Sequence, residues 1–163
     1  MATTTSLREA LEKKTRDFAL SYETAGKTKD PNAISIHLAP NCRRVFGPVS
    51  FLREVNWTPE SSYSNAEYQL EYEKHMPIWW VNSTDIYNVT IDVEGRKSAA
   101  RTSYYGEFVD GEKMQLDFAW FLDFNDDGTE IIKVLEYVDT PDSMKHYVKA
   151  KGLEEEHAKK SGK

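Results

Sequence analysis

Cysteine is nearly missing: Cys42 is the single one in 163 residues. That excludes an internal disulfide and a zinc site built on several thiolates. Long apolar runs are missing too. No stretch approaches the length of a membrane span, and the opening MATTTSLREALEKK has no apolar core of the kind a signal peptide needs. Three Asn-x-Ser/Thr sites, at Asn56, Asn82 and Asn88, are then read as accidental, and the expected location is cytoplasmic. Basic residues are outnumbered, the net charge is −6, and no basic stripe occurs outside the short C-terminal tail. No nucleic acid and no membrane surface is therefore expected as a partner. Only 4 histidines occur, and no His/Asp/Glu grouping has metal-ligand spacing. The sequence has no Walker loop, no dinucleotide fingerprint and no GxSxG elbow. Neither a metal nor a cofactor is expected. No repeat and no low-complexity linker divides the chain, so its length fits one domain, with an ordered core from about residue 6 to about 150 and a flexible tail over about 151–163.

Aromatic residues, in contrast, make up 12% of the chain. They carry large apolar area and often line small-molecule pockets. Between Met114 and Asp139 two runs rich in aromatic and β-branched residues, MQLDFAWFLDF and IIKVLEYVD, flank the turn sequence NDDGTE. Gly128 suits the positive φ of a tight turn, and Asp126 and Asp127 can bond nearby backbone, so the stretch predicts a β-hairpin. Strand period places Ile132, Val134, Glu136 and Val138 on one face and Ile131, Lys133, Leu135, Tyr137 and Asp139 on the other. Glu136 is then a lone carboxylate on an apolar face. Such a group must be neutral, partnered or exposed, because an unpaired buried charge is costly.

Elsewhere, Leu7, Leu11, Phe18 and Tyr22 recur at nearly helical spacing and predict a helix from about Ser6 to about Ala25. Pro31 suits the first turn of a short second helix, Asn32 to Leu38, which Pro40 ends. Cys42 to Phe46 predicts a short strand with Arg43 and Arg44 on opposite faces. Residues 47–64 read as a long loop with one helical turn, placed as a lid or rim. Ser64 and Asn65 cap a third helix, Asn65 to Met76, with Tyr68, Tyr72 and His75 along one flank. Thr84 to Val93 and Lys97 to Val109 predict two strands, with Gly106 as a bulge candidate. A last helix starts near Thr140. Helices segregated from strands argue for an α+β fold: a curved antiparallel sheet wrapped into a cone on three N-terminal helices, with a C-terminal helix and a cavity at the cone's mouth.

The residues also carry a resemblance. The run DFAWFLDFNDDG with the EYVD ending resembles the closing hairpin of fungal SnoaL-like proteins. Ala39-Pro40-Asn41-Cys42-Arg43-Arg44, Gly47-Pro48, Ser50, the FALSYET segment and the helix start Asn65-Ala66-Glu67-Tyr68 are similar as well. These proteins share a cone-shaped superfamily with ketosteroid isomerase, scytalone dehydratase and nuclear transport factor 2. The resemblance implies a cofactor-free acid/base isomerase or cyclase acting on polyketide, terpenoid or alkaloid intermediates, and a homodimer formed through the sheet. The chain departs from scytalone dehydratase in lacking its closely matched paired histidines. It also departs from ketosteroid isomerase in offering no Tyr and protonated Asp pair. Dehydration, and a non-catalytic binding or dimerisation module, stay open as alternatives.

Glu136 is the candidate general acid or base, since an apolar pocket lifts a carboxyl pKa toward neutrality. The alternative is a structural ion pair with Arg43 or Arg44. Either arginine could steady an oxyanion, and Arg44, which shares a face with Cys42 and Phe46, is preferred over Arg43. Tyr104 and Tyr105 are adjacent on a strand, so one faces in and can donate a hydrogen bond to substrate. Tyr22, His37, Phe46, Phe118, Trp120 and Val134 complete the expected substrate-binding set.

Overall fold

The computed structural model describes residues 4–162, and what the sequence implies for residues 1–3 and 163 lies outside them. Helix α1 spans Thr4–Thr28 and buries Leu11, Phe18, Tyr22 and Ala25 along one flank. It runs one turn further than its apolar pattern. A 3-10 turn at Pro31–Ser35, capped by Asp30, replaces the expected second helix. Strand β1 then starts early, at Leu38, and runs to Gly47. Pro40 does not end an element. It sits in β1 where the ladder slips between Leu38 and Arg43, a place that needs no amide donor.

The expected long loop contains helix α2 (Val49–Glu54) and a two-residue strand β2 (Ser62–Tyr63). Helix α3, Asn65–His75, opens on a full capping box between Ser64 and Glu67. Strands β3 (Trp79–Asp92), β4 (Lys97–Phe108), β5 (Lys113–Phe124) and β6 (Ile131–Val138) follow, then helix α4 (Thr140–Lys160). α4 continues helically through the residues expected to form a tail.

Among the described residues six strands form one sheet in the order β2-β1-β6-β5-β4-β3. Every pairing is antiparallel except β1 with β6, which is parallel. The antiparallel sheet read from the sequence is thus mixed, because the chain returns from the far edge to lay β6 beside β1. The hairpin at Gly128 forms as expected, with φ at +73° and its amide donating to Asn125 O at 3.0 Å.

The inner face of the sheet carries Leu116, Trp120, Leu122, Val134 and Val138, all buried, the first four in one core cluster with Leu11, Phe18 and Tyr22 of α1. Burial of such side chains stabilises by about 2 kcal/mol each. In β6 the alternation is broken at its start. Ile131 is buried and Ile132 exposed, the reverse of a strict period of two, because the ladder shifts between Asp123 and Phe124. From Val134 onward the expected faces hold. No helix among the described residues is long and apolar enough to cross a membrane.

Candidate active site

Between the concave sheet and helices α3 and α4 lies a cavity of about 530 Å³. Strand β6 delivers Glu136 into it, beside Val138. The residue is half-buried because the cavity is in front of it, while protein surrounds its carboxyl. Glu136 Oε2 accepts a hydrogen bond from Tyr68 OH at 3.0 Å. Tyr68 OH lies 3.0 Å from Tyr22 OH, and Arg44 Nη1 donates to Tyr22 OH at 3.1 Å. Arg44 Nη2 donates to the carbonyl of Ile34 at 2.7 Å, and the guanidinium stacks 4.0 Å from the Tyr68 ring centre. Its side chain is fully buried, and Nε has no hydrogen-bond partner among the described residues.

These contacts fix the direction of a hydrogen-bond chain. A guanidinium can only donate, so Tyr22 O accepts from Arg44 and its own proton goes to Tyr68. The Tyr68 proton then goes to the carboxylate. Arg44, Tyr22, Tyr68 and ionised Glu136 thus form one chain with every donor facing the acid. Among the described residues, Oε1 of Glu136 makes no hydrogen bond, which leaves that oxygen for a ligand.

Burial lifts the Glu136 pKa to about 7, with Arg44 and the Tyr68 hydrogen bond pulling it partly back. Proton transfer in either direction is easiest for a group so poised. Burial also holds the phenols neutral: Tyr22 is pushed up to about 12, and Tyr68 is raised well above its ordinary value. No ion pair joins Glu136 to either arginine among the described residues, so the structural ion pair kept as the alternative is not how the charge is held.

Of the residues singled out in the sequence, Glu136, Tyr22, Tyr104, Phe46, Phe118 and Trp120 line the cavity. Arg44 stands one layer behind, reaching the cavity through the two phenols. Tyr104 contributes its ring, but its hydroxyl proton goes to the carbonyl of Ala19 at 2.9 Å, so it is not the donor facing the acid. The other four are elsewhere. Arg43 points to the opposite face and donates to Ser62. Tyr105, next to inward Tyr104, lies on the outer side of β4. Val134 is packed in the core below the cavity. His37 is half-buried beside α1, where burial first and then Lys14 and Lys13 lower its pKa against the pull of Asp17.

Sequence reasoning missed Tyr68 as a site residue, although its place on one flank with Tyr72 and His75 was the available signal. It also missed Trp57 and Tyr63, which pack edge-on at 5.5 Å and close one end of the cavity. His146 and Glu154 came from the stretch read as last helix and tail. Among the described residues no group of three or more His, Cys, Asp or Glu is placed to hold a metal ion.

No family model matches the sequence, and no curated protein matches it. Solved structures do. BvnE pinacolase from Penicillium brevicompactum superposes with a TM-score of 0.73 at 17% identity, over 93% of this chain and 97% of its own. PrhC from Penicillium brasilianum gives 0.68 at 18%, over 92% and 97%. A nuclear transport factor 2-like protein of unknown function from Burkholderia pseudomallei gives 0.58 at 13%, over 83% and 95%. The chain has the SnoaL-like, nuclear transport factor 2-like fold. At these identities the likeness is one of fold alone.

Proposed function

We propose that the protein is an isomerase or cyclase that works by acid/base catalysis, without a cofactor, on a polyketide, terpenoid or alkaloid intermediate. The observation that supports this most is Glu136: a carboxyl with a pKa of about 7, one oxygen held by Tyr68, facing an aromatic-lined cavity. Ionised, it takes a proton from carbon next to a carbonyl, and the electron pair moves into that carbonyl as an enolate. The same carboxyl returns the proton at another carbon, so atoms and charge balance with no redox partner. Arg44 acts as a positioning residue through Tyr22 and Tyr68, steadying the ionised carboxylate before the first transfer and again after the second. The fold of BvnE, whose name describes a pinacolase from a fungus, supports a rearrangement on such a scaffold.

Deletion of the gene in its source organism is expected to accumulate one intermediate. The purified protein should convert that compound to a product of equal mass, and Glu136→Gln should slow the conversion by at least about a hundredfold. A product lighter by one water makes the protein a dehydratase instead. Unchanged conversion by Glu136→Gln removes the acid/base role. The exposed aromatics Phe121 and Tyr137 on the outer sheet face support a homodimer formed there.

A further inference from the structure

The acid/base chemistry occupies one end of the cavity. The other end holds polar groups that it does not use. Tyr68 and His75 lie on the same flank of α3 about two turns apart, which puts His75 roughly 10 Å further along. His75 Nδ1 is hydrogen-bonded to Glu154 of α4, and its ring stacks on Trp79. The Glu154 carboxylate on Nδ1 fixes the orientation of the ring.

His146, from α4, packs edge-on against the same Trp79 at 4.6 Å and tilts on Phe108 at 4.9 Å. Among the described residues neither of its buried ring nitrogens has a hydrogen-bond partner. Ser143 Oγ, one turn earlier on the same flank of α4, is buried and has no partner among the described residues either. Ser143, His146, His75 and Glu154 all line the cavity. Buried polar atoms are nearly always paired, so three orphans on one cavity-facing flank point to a ligand group that pairs them. Burial, with His75 adding, pulls the His146 pKa down to about 4, so its imidazole is neutral. A neutral imidazole offers one donor and one acceptor, which suits a hydroxyl or keto oxygen rather than a carboxylate. Ring walls from Tyr72, Trp79 and Phe118 line the cavity with these two ends, which favours a flat apolar frame.

We propose that the α3–α4 end is a second binding subsite, where His146 and Ser143, with His75 held by Glu154, take a hydroxyl or carbonyl oxygen at the far end of an uncharged fused-ring substrate. This rests on the reading that the Glu136 end receives a small molecule, and it adds that the substrate is oxygenated at both ends.

Calorimetric titration with two probes tests it: naphthol, and a naphthalenediol with hydroxyls at opposite ends. Wild-type protein is expected to bind the diol about tenfold more tightly, the worth of one or two hydrogen bonds. His146→Phe should remove that preference while naphthol still binds, and His146→Gln, which keeps a donor and an acceptor, should restore most of it. If His146→Phe does not fold, Ser143→Ala serves: it should weaken the diol and spare naphthol.

Equal affinity of wild type for both probes would mean that solvent satisfies these groups, and overturns the subsite. So does a preference unchanged in a folded His146→Phe. Binding of neither probe overturns the ligand class. Loss of the acid/base role at Glu136 would appear in turnover and leave the ratio of the two affinities as it is.

Discussion

Glu136 costs the fold stability in a pH-dependent way. In the unfolded chain its carboxyl ionises near its ordinary 4.5, and in the folded protein near 7. Between those values the folded state binds more protons, so this group lowers stability as pH rises through the window. Below about 4.5 its contribution vanishes, and above about 7 the full cost, on the order of 3 kcal/mol, is present. Glu136→Gln keeps the acceptor for Tyr68 and removes the charge. Urea unfolding should therefore find the variant level with wild type at roughly pH 4 and more stable at roughly pH 8. Arg44→Met acts the other way on the acid. Without the cation, the Glu136 midpoint should move above 7, and the Ile34 carbonyl and Tyr22 hydroxyl lose their donor. The stability cost should be on the order of 2 kcal/mol. Tyr68→Phe should also raise the midpoint, because its hydrogen bond favours the ionised form.

Two glycines set how closely the elements can approach. A Cβ on Gly26 of α1 would lie 2.2 Å from the carbonyl oxygen of Val81, and one on Gly106 of β4 would lie 2.0 Å from that of Trp80. The start of β3 is thus clamped between a helix and its neighbouring strand. It bulges between Val81 and Ser83, opposite the glycine read as a bulge site in β4. Gly26→Ala and Gly106→Ala should each lower stability by about 1–3 kcal/mol in urea unfolding, since the obstructing atoms are backbone. Much at this scale was legible from spacing alone. The alternation of β6 put Glu136 on the apolar face, that of β1 put Arg43 and Arg44 on opposite faces with Arg44 beside Cys42 and Phe46, and Ser64 with Asn65 marked the start of α3. Three things were not legible. Nothing local says that β1 pairs in parallel with β6, because that depends on where the chain returns. The flank of α3 that Tyr68 shares with Tyr72 and His75 could be read from spacing, but its direction depends on packing against β1, so nothing local said that it faces the cavity. The stretch from Gly152 onward has the composition of a solvated tail, yet it continues α4 and delivers Glu154 to His75.

At the scale of the whole molecule, the sheet separates two tasks. Its concave face, closed by α3 and α4, holds the cavity. Its outer face exposes Phe121, Tyr137 and Tyr87. If that face joins two copies, as proposed, Phe121→Glu with Tyr137→Lys should convert a dimer to a monomer in light scattering. The melting transition should then become independent of protein concentration. The cavity lies on the other side and should keep its ligand affinity. The account as a whole depends on the state of one carboxyl inside the cone. A carbon-13 NMR titration of glutamate side chains reads that state without a substrate. One carboxyl resonance should titrate with a midpoint near 7 and be missing from Glu136→Gln. A Glu136 midpoint at or below 4.5 would contradict the account.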